Sequence, residues 1–311
     1  MNKLKVLLAM LLFGSIGLFI RNIPLSSINI AFLRAVIGSL FLFIYSVSRR
    51  KFKKSGEGES YKPYAFKGEV KNNIKLLIIS GMLLGFNWVF LFQGFKHTTI
   101  SNATLVYYFA PVFIIIASPI VIKESFSKIK AISIFTAVIG LFLILDIKGA
   151  GEIGYLSNIK GIAFALLAAV FYASVVFINK FIINISDYRR TLFQLTSAAA
   201  VLFPFILFQK EGYASIILKF KHILTLDLNT WVLIIIVGIV HTGLSYLLYF
   251  SALKDLNAQS AAILSYIDPI SAVVFASIFL KEKMTLLQLI GGILILGSTL
   301  FSEIITDKAR T

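Results

Sequence analysis

The sequence predicts an all-α integral membrane protein, with ten transmembrane helices arranged as two inverted five-helix repeats around a central cavity. Three observations carry this prediction. First, 58% of the 311 residues are hydrophobic and only 14% charged, with a mean hydropathy of +0.90. A soluble domain carries about 25% charged residues, and a water-facing surface cannot be covered with so few. Second, ten segments are apolar over nearly the ~20 residues that a helix needs to cross ~30 Å of hydrocarbon. Third, the second half of the chain repeats the first at a constant offset of 158 residues.

The ten segments are 6–20, 29–48, 76–95, 102–122, 129–147, 161–180, 191–208, 230–251, 257–280 and 285–303. They are continuous apolar runs, unlike the alternating ~10-residue strands of a membrane barrel. The first, preceded by Lys3 and Lys5, has no small-residue cleavage pattern before Arg21 and reads as a retained helix and not a signal peptide. Ten crossings put both termini on one side. If that side is cytoplasmic, the inner loops hold 20 Lys and Arg residues and the outer ones nine. An excess of inner positive charge is the usual orientation signal, so both ends are expected in the cytoplasm of a cell membrane. The net charge of +16 is therefore a record of topology, and no nucleic-acid partner is expected. Residues 49–75 read as a flexible basic cytoplasmic loop. The chain thus divides into a first repeat at 1–147, a linker at 148–160, a second repeat at 161–303 and a tail at 304–311.

Sliding the sequence by 158 pairs Phe13 with Phe171, Phe19 with Phe177, Gly85 with Gly243 and Ala103 with Ala261. The same shift pairs Tyr108 with Tyr266, Pro111 with Pro269, Lys123 with Lys281 and Glu124 with Glu282. Because each copy holds five spans, the second is inverted relative to the first. Two inverted copies can exchange conformations around a site near the midplane, which is the architecture of alternating access.

Residues 254–282, KDLNAQSAAILSYIDPISAVVFASIFLKE, are followed from Gln288 by QLIGGILILGS. Residues 96–124, KHTTISNATLVYYFAPVFIIIASPIVIKE, form the corresponding stretch of the first copy. The Lys-containing turn, the small residues, the central proline and the closing Glu resemble the EamA-type repeat of the drug/metabolite transporter superfamily over essentially the whole chain. The resemblance implies helices one to four and six to nine around the cavity, with five and ten peripheral. It also implies export of amino acids or related metabolites. Relatives that carry vitamins, nucleotide sugars or sugar phosphates keep uptake or exchange open as an alternative.

Polar residues deep in a span are costly and face a cavity or a neighbouring helix. Asp268 is the one carboxylate well inside a span, in line with Ala261, Ser265 and Ala272 on span nine. It reads as a counter-ion for an amino group, as the site of a coupling proton, or as a carboxylate bonded near the Pro269 kink. The repeat sets Ala110 opposite Asp268 and Tyr107 opposite Ser265, so the cavity is expected to be chemically asymmetric. His241, Ser245 and Tyr249 share one face of span eight at helical spacing, and the repeat places Asn87 opposite Ser245. Asn87 and Ser245 are therefore expected at the same central space, with His241 either a ligand or a link between helices. Arg34, the one basic residue well inside a span, meets a substrate carboxylate, meets Asp268, or snorkels outward. Tyr172 is a further lining candidate. Pro111 and Pro269 each remove a mid-span hydrogen bond and kink their helices.

No phosphate-binding loop occurs, and three scattered histidines without cysteine do not make a zinc site. No cofactor and no enzymatic activity are expected. The partners expected are the lipid bilayer, a small-molecule substrate and a coupling proton. A scaffold or lipid-modifying protein is the rival class, but it needs neither the inverted repeat nor polar residues converging from both halves. The topology has a direct check: reporters fused after Thr311 and within residues 49–75 are both expected to signal from the cytoplasm, and a periplasmic signal from either one contradicts the orientation.

Overall fold

The computed structural model describes residues 2–54, 66–123, 126–145, 154–183, 185–208, 225–253, 256 and 258–308, and its helices fall into ten successive runs. The first three runs are α1 (Asn2–Arg21), α2 (Ser27–Lys54) and α3 (Phe66–His97). The fourth is split into α4 (Ile100–Tyr107) and α5 (Ala110–Val121). Then come α6 (Lys128–Ile144), α7 (Tyr155–Phe181) and α8 (Asp187–Phe208). The eighth run is α9 (Leu228–Gly238), a π-helical segment (Ile239–Leu244) and α10 (Ser245–Leu253). The ninth is split into α11 (Ala258–Ser265) and α12 (Ile267–Phe279), and α13 (Leu286–Lys308) closes the series. No strand occurs among the described residues. Seven runs are long and apolar enough to cross a bilayer as they stand, and the ninth and tenth hold the shorter apolar helices Ile263–Phe279 and Leu286–Ser302.

The observed boundaries differ from the sequence expectation where helices outrun the apolar stretch. α2 continues to Lys54 and α3 starts at Phe66, so both helices occupy much of the stretch expected to be a loop. Lys, Arg and Glu are good helix formers, and a helix leaving the membrane has no reason to stop where apolarity does. The centre of that stretch, 55–65, and residues 146–153 at the end of the first repeat and the start of the linker lie outside the described residues.

Local chemistry sets several helix starts. Thr99, Ser127 and Asp227 accept from the backbone N–H groups of Asn102, Lys130 and Thr230 at 3.1, 3.3 and 3.1 Å. These bonds hold the exposed Asp227 carboxyl below the usual carboxylate range, the Thr230 side chain making the largest contribution. Thr285 and Gln288 form a reciprocal capping box at 3.0 and 3.3 Å. Thr285 is the repeat mate of Ser127. Lys123 and Lys281, another repeat pair, both adopt φ 55 just past α5 and α12. A left-handed residue without a glycine costs about 1–2 kcal/mol and ends a helix abruptly.

Packing follows the same two-fold relation. α3 lies against α7 and α8, as the eighth run lies against α1 and α2. α1 packs on α12, as α7 packs on α4 and α5, while α2 meets α8 and α6 meets α13. Tyr108 and Tyr266, related by the repeat, touch each other with ring centroids 6.5 Å apart, which places the pseudo-two-fold axis between the two broken helices. α6 and α13 cross at Gly140 and Gly291, so closely that a Cβ on Gly140 would lie 2.6 Å from the Gly291 carbonyl oxygen. Small residues at such crossings let backbones meet in a solvent that gives helices no hydrophobic reason to associate.

Among the described residues, which do not include Glu124, the repeat mate of Glu282, the symmetry is broken at the end of the bundle away from the termini. There Glu282, its side chain 7% exposed, accepts from the Ile100 and Ser101 N–H groups at 2.9 and 3.1 Å and from the Ser101 hydroxyl at 2.9 Å. It also pairs with Arg21 at 2.6 Å. A carboxylate at a helix N-terminus is stabilised by the exposed amides and the helix dipole. Arg21 is a third exposed, so water weakens its share, and the bonds to α4 form the stronger part. In the second copy Asn179 takes the place of Arg21, and its amide oxygen accepts from Gln194 at 2.7 Å. α4 also packs on α12, whereas α11 and α5 show no comparable packing among the described residues.

Two measurements check this description. Gly140→Val and Gly291→Val each overpack the α6–α13 crossing and are expected to cost about 1–3 kcal/mol, read as a lowered melting temperature in detergent; an unshifted transition contradicts the close crossing. Glu282→Gln is expected to speed labelling of an Ala103→Cys reporter by a bilayer-impermeant maleimide several-fold, and an unchanged rate contradicts the hold of Glu282 on α4 and Arg21 as a latch.

Candidate functional site

The site is built where the two interrupted helices meet. Pro111 lacks the N–H that would bond the Tyr107 carbonyl, and Pro269 the one that would bond Ser265. The kinks expected from these prolines are full breaks. The chain leaves α4 through 3₁₀-type bonds, Phe109 N–H to Val106 O at 3.0 Å, and leaves α11 through Tyr266 N–H to Ile263 O at 3.3 Å. Tyr107, Tyr108 and Asp268 sit at these breaks. Gly14 of α1 brings the backbone of α12 close, since a Cβ there would lie 2.6 Å from the Asp268 carbonyl oxygen. At the repeat mate of Gly14 the chain carries Tyr172, whose ring packs on Tyr107 with centroids 5.7 Å apart. A small residue closes one side and a large polar one lines the other.

Asp268 accepts a hydrogen bond from the Tyr108 hydroxyl at 2.7 Å. Tyr172 and Tyr107 lie within electrostatic reach of its carboxylate, as Tyr246 and Tyr249 do of Tyr172. Tyr172, in the middle of this group, is 39% exposed. Tyr107, Tyr108, Tyr246, Tyr249 and Asp268 are all partly exposed as well.

Arg34 points inward and does not snorkel. It is 5% exposed, its guanidinium carbon lies 4.1 Å from the Trp88 ring centroid and 5.8 Å from that of Phe92, and its Nε donates to Thr242 Oγ1 at 2.8 Å. The phenols of Tyr246 and Tyr107 are its electrostatic neighbours. It does not meet Asp268: among the described residues neither forms an ion pair with any group. Tyr107 stands within reach of both.

Asn87 is 1% exposed and donates to the Ala168 carbonyl at 2.7 Å and the Tyr107 hydroxyl at 3.4 Å. Because a carbonyl only accepts, the first bond fixes the amide orientation, and Oδ1 has no partner among the described residues.

The remaining expected residues are placed elsewhere by a feature that helical spacing does not contain. Across Ile239–Leu244 the eighth run is a π-helix, and His241 Nδ1, Thr242 Oγ1 and Ser245 Oγ each bond a carbonyl five residues back, on Ile236, Val237 and Val240. The wider turn rotates His241 and Ser245 off the common face that an α-helix would give them. Ser245 is fully buried and its hydroxyl is spent on its own helix, donating to Val240 O at 2.8 Å. His241 is 1% exposed and links α1 to the eighth run through Ser15 at 3.0 Å and the Phe19 ring at 4.5 Å. Ser265 likewise turns back, donating to Ala261 O at 2.8 Å. Tyr249 keeps its place near Tyr172.

Sequence reasoning missed Trp88, Thr242, Tyr108 and Tyr246. Two of them carried a signal: Tyr246 is the repeat mate of Trp88, and the pair flanks Arg34. Among the described residues no three His, Asp or Glu side chains converge in a way that would hold a metal ion.

The EamA-like transporter family matches the chain twice, over residues 3–146 and 159–303. The uncharacterized transporter YxxF of Bacillus subtilis (strain 168) is 30% identical over 94% of this chain and 86% of its own length. An uncharacterized transporter of Archaeoglobus fulgidus is 25% identical over 97% of this chain and 96% of its own. One solved crystal structure superposes over 100% of this chain and 99% of its own with a TM-score of 0.60, at 18% identity, which shows a shared fold. The two matches coincide with the two copies that the offset of 158 and the Tyr108–Tyr266 contact define. The chain belongs to the EamA-like transporter family and is a multi-pass membrane transporter.

Proposed function

We propose that this transporter is a secondary active exporter of small zwitterionic metabolites, with α-amino acids as the substrate class, working by alternating access of its inverted repeats. One observation carries the reading. A guanidinium and a carboxylate lie inside the bundle, unpaired with each other, with Tyr107 in reach of both. A charge buried without a partner is costly. Two such charges of opposite sign, held apart, are neutralised together by a molecule that carries the complementary pair. Arg34 then takes the substrate carboxylate. Asp268 takes the ammonium group, or the coupling proton in its place, and the tyrosines form the walls.

The latch supports the alternating-access part. The end of the bundle at Glu282 and Arg21 is held together, while the repeat-related packing of α11 on α5 has no comparable counterpart among the described residues. With both termini in the cytoplasm of a cell membrane, as the positive charges favour, this conformation faces inward, where an exporter loads. The expected outcome for Asp268→Asn in reconstituted vesicles is loss of amino-acid transport with expression and size-exclusion behaviour intact. Unchanged kinetics would remove Asp268 from the mechanism.

A further inference from the structure

The geometry points to Arg34 as a preassembled carboxylate clamp, with Thr242 and Trp88 as the positioning residues that aim it; this rests on the amino-acid reading above.

The guanidinium is held on two sides. Its Nε is spent on Thr242 Oγ1, and its flat face lies 4.1 Å from the centroid of the Trp88 ring. Thr242 can act as this acceptor because its own proton goes to the Val237 carbonyl at 2.9 Å, leaving lone pairs for Arg34. That arrangement depends on the π turn. A threonine in a regular helix bonds the carbonyl four residues back, whereas here the hydroxyl reaches five back and is directed toward α2. Close packing sets the distance: a Cβ on Gly38 would lie 2.8 Å from the Thr242 methyl, and one on Gly238 2.5 Å from Ile37. Trp88 and Thr242 are themselves 4% and 0% exposed, so neither support has room to move.

What remains of the guanidinium is its pair of terminal amino groups. Among the described residues nothing accepts from them. The phenols of Tyr107 and Tyr246 are the electrostatic neighbours of the guanidinium. Two parallel N–H donors on a fixed plane match the two oxygens of a carboxylate. A lysine would supply charge without that plane. The fold therefore spends one turn of irregular helix and one tryptophan on orienting a single cation.

Trp88 is also a reporter, because the chain has only one other tryptophan, Trp231. Full-length Trp231→Phe protein in detergent is titrated at neutral pH with each of the common amino acids, with the α-amide of each one that saturates, and with inorganic phosphate, following Trp88 emission. Amino acids with a free carboxylate are expected to saturate, and their amides to bind about tenfold more weakly or worse. Arg34→Gln should bring acid and amide to the same affinity. Thr242→Val should weaken acid binding about three- to tenfold while leaving amide binding unchanged, and Thr242→Ser should restore the difference. A merely structural Thr242 would shift acid and amide alike. Equal binding of acid and amide by the parent protein overturns the clamp and leaves the amino-acid reading standing. An acid-to-amide ratio unaffected by Thr242→Val overturns the positioning role. A response to phosphate with none to any amino acid overturns the carboxylate assignment, and a response to no probe overturns the amino-acid reading together with the clamp.

Discussion

A membrane interior supplies no water to an interrupted backbone, and this constraint organises the structure around α4–α5 and α11–α12. Each break leaves carbonyls without their helical amides, and such irregular backbone is tolerated only where protein or a water-filled space surrounds it. Tyr108 and Tyr266 therefore meet at the pseudo-two-fold axis with the breaks enclosed by their neighbours. α1 and α7 pack onto the broken helices, and α3 and the eighth run pack outside those. The small residue at Gly14 and the large one at Tyr172 follow from how closely each neighbour must approach its break.

On this symmetric frame the chemistry is one-sided. Arg34, Asp268, His241 and Thr242 have repeat mates that are leucine or alanine. Placing each polar group in one copy only keeps the number of buried charges small. The far end is one-sided as well. Glu282 is neutralised by Arg21 and three donors of α4, whereas Asn179 offers no charge at the corresponding position of the second copy. Among the described residues this ion pair and the three α4 donors tie the two copies together on that side.

Sequence by itself determined the class, the ten helical runs, the duplication and the identity of the interior charges. These follow from composition, from the length that spans a bilayer and from a repeat offset that needs no coordinates. It also marked both proline sites, because a missing N–H acts wherever the proline lies. Tertiary structure decided which way the polar groups point. The π turn at Ile239–Leu244 has no signature in the spacing of apolar residues, yet it turns the Ser245 hydroxyl onto Val240 O, gives His241 to α1 and delivers Thr242 to Arg34. Likewise, whether Arg34 turned outward, joined Asp268 or stood alone was undetermined along the chain, since a long side chain reaches all three. Its fate was settled by the Trp88 face and the Thr242 hydroxyl, two partners 54 and 208 residues away in sequence, brought beside it by packing.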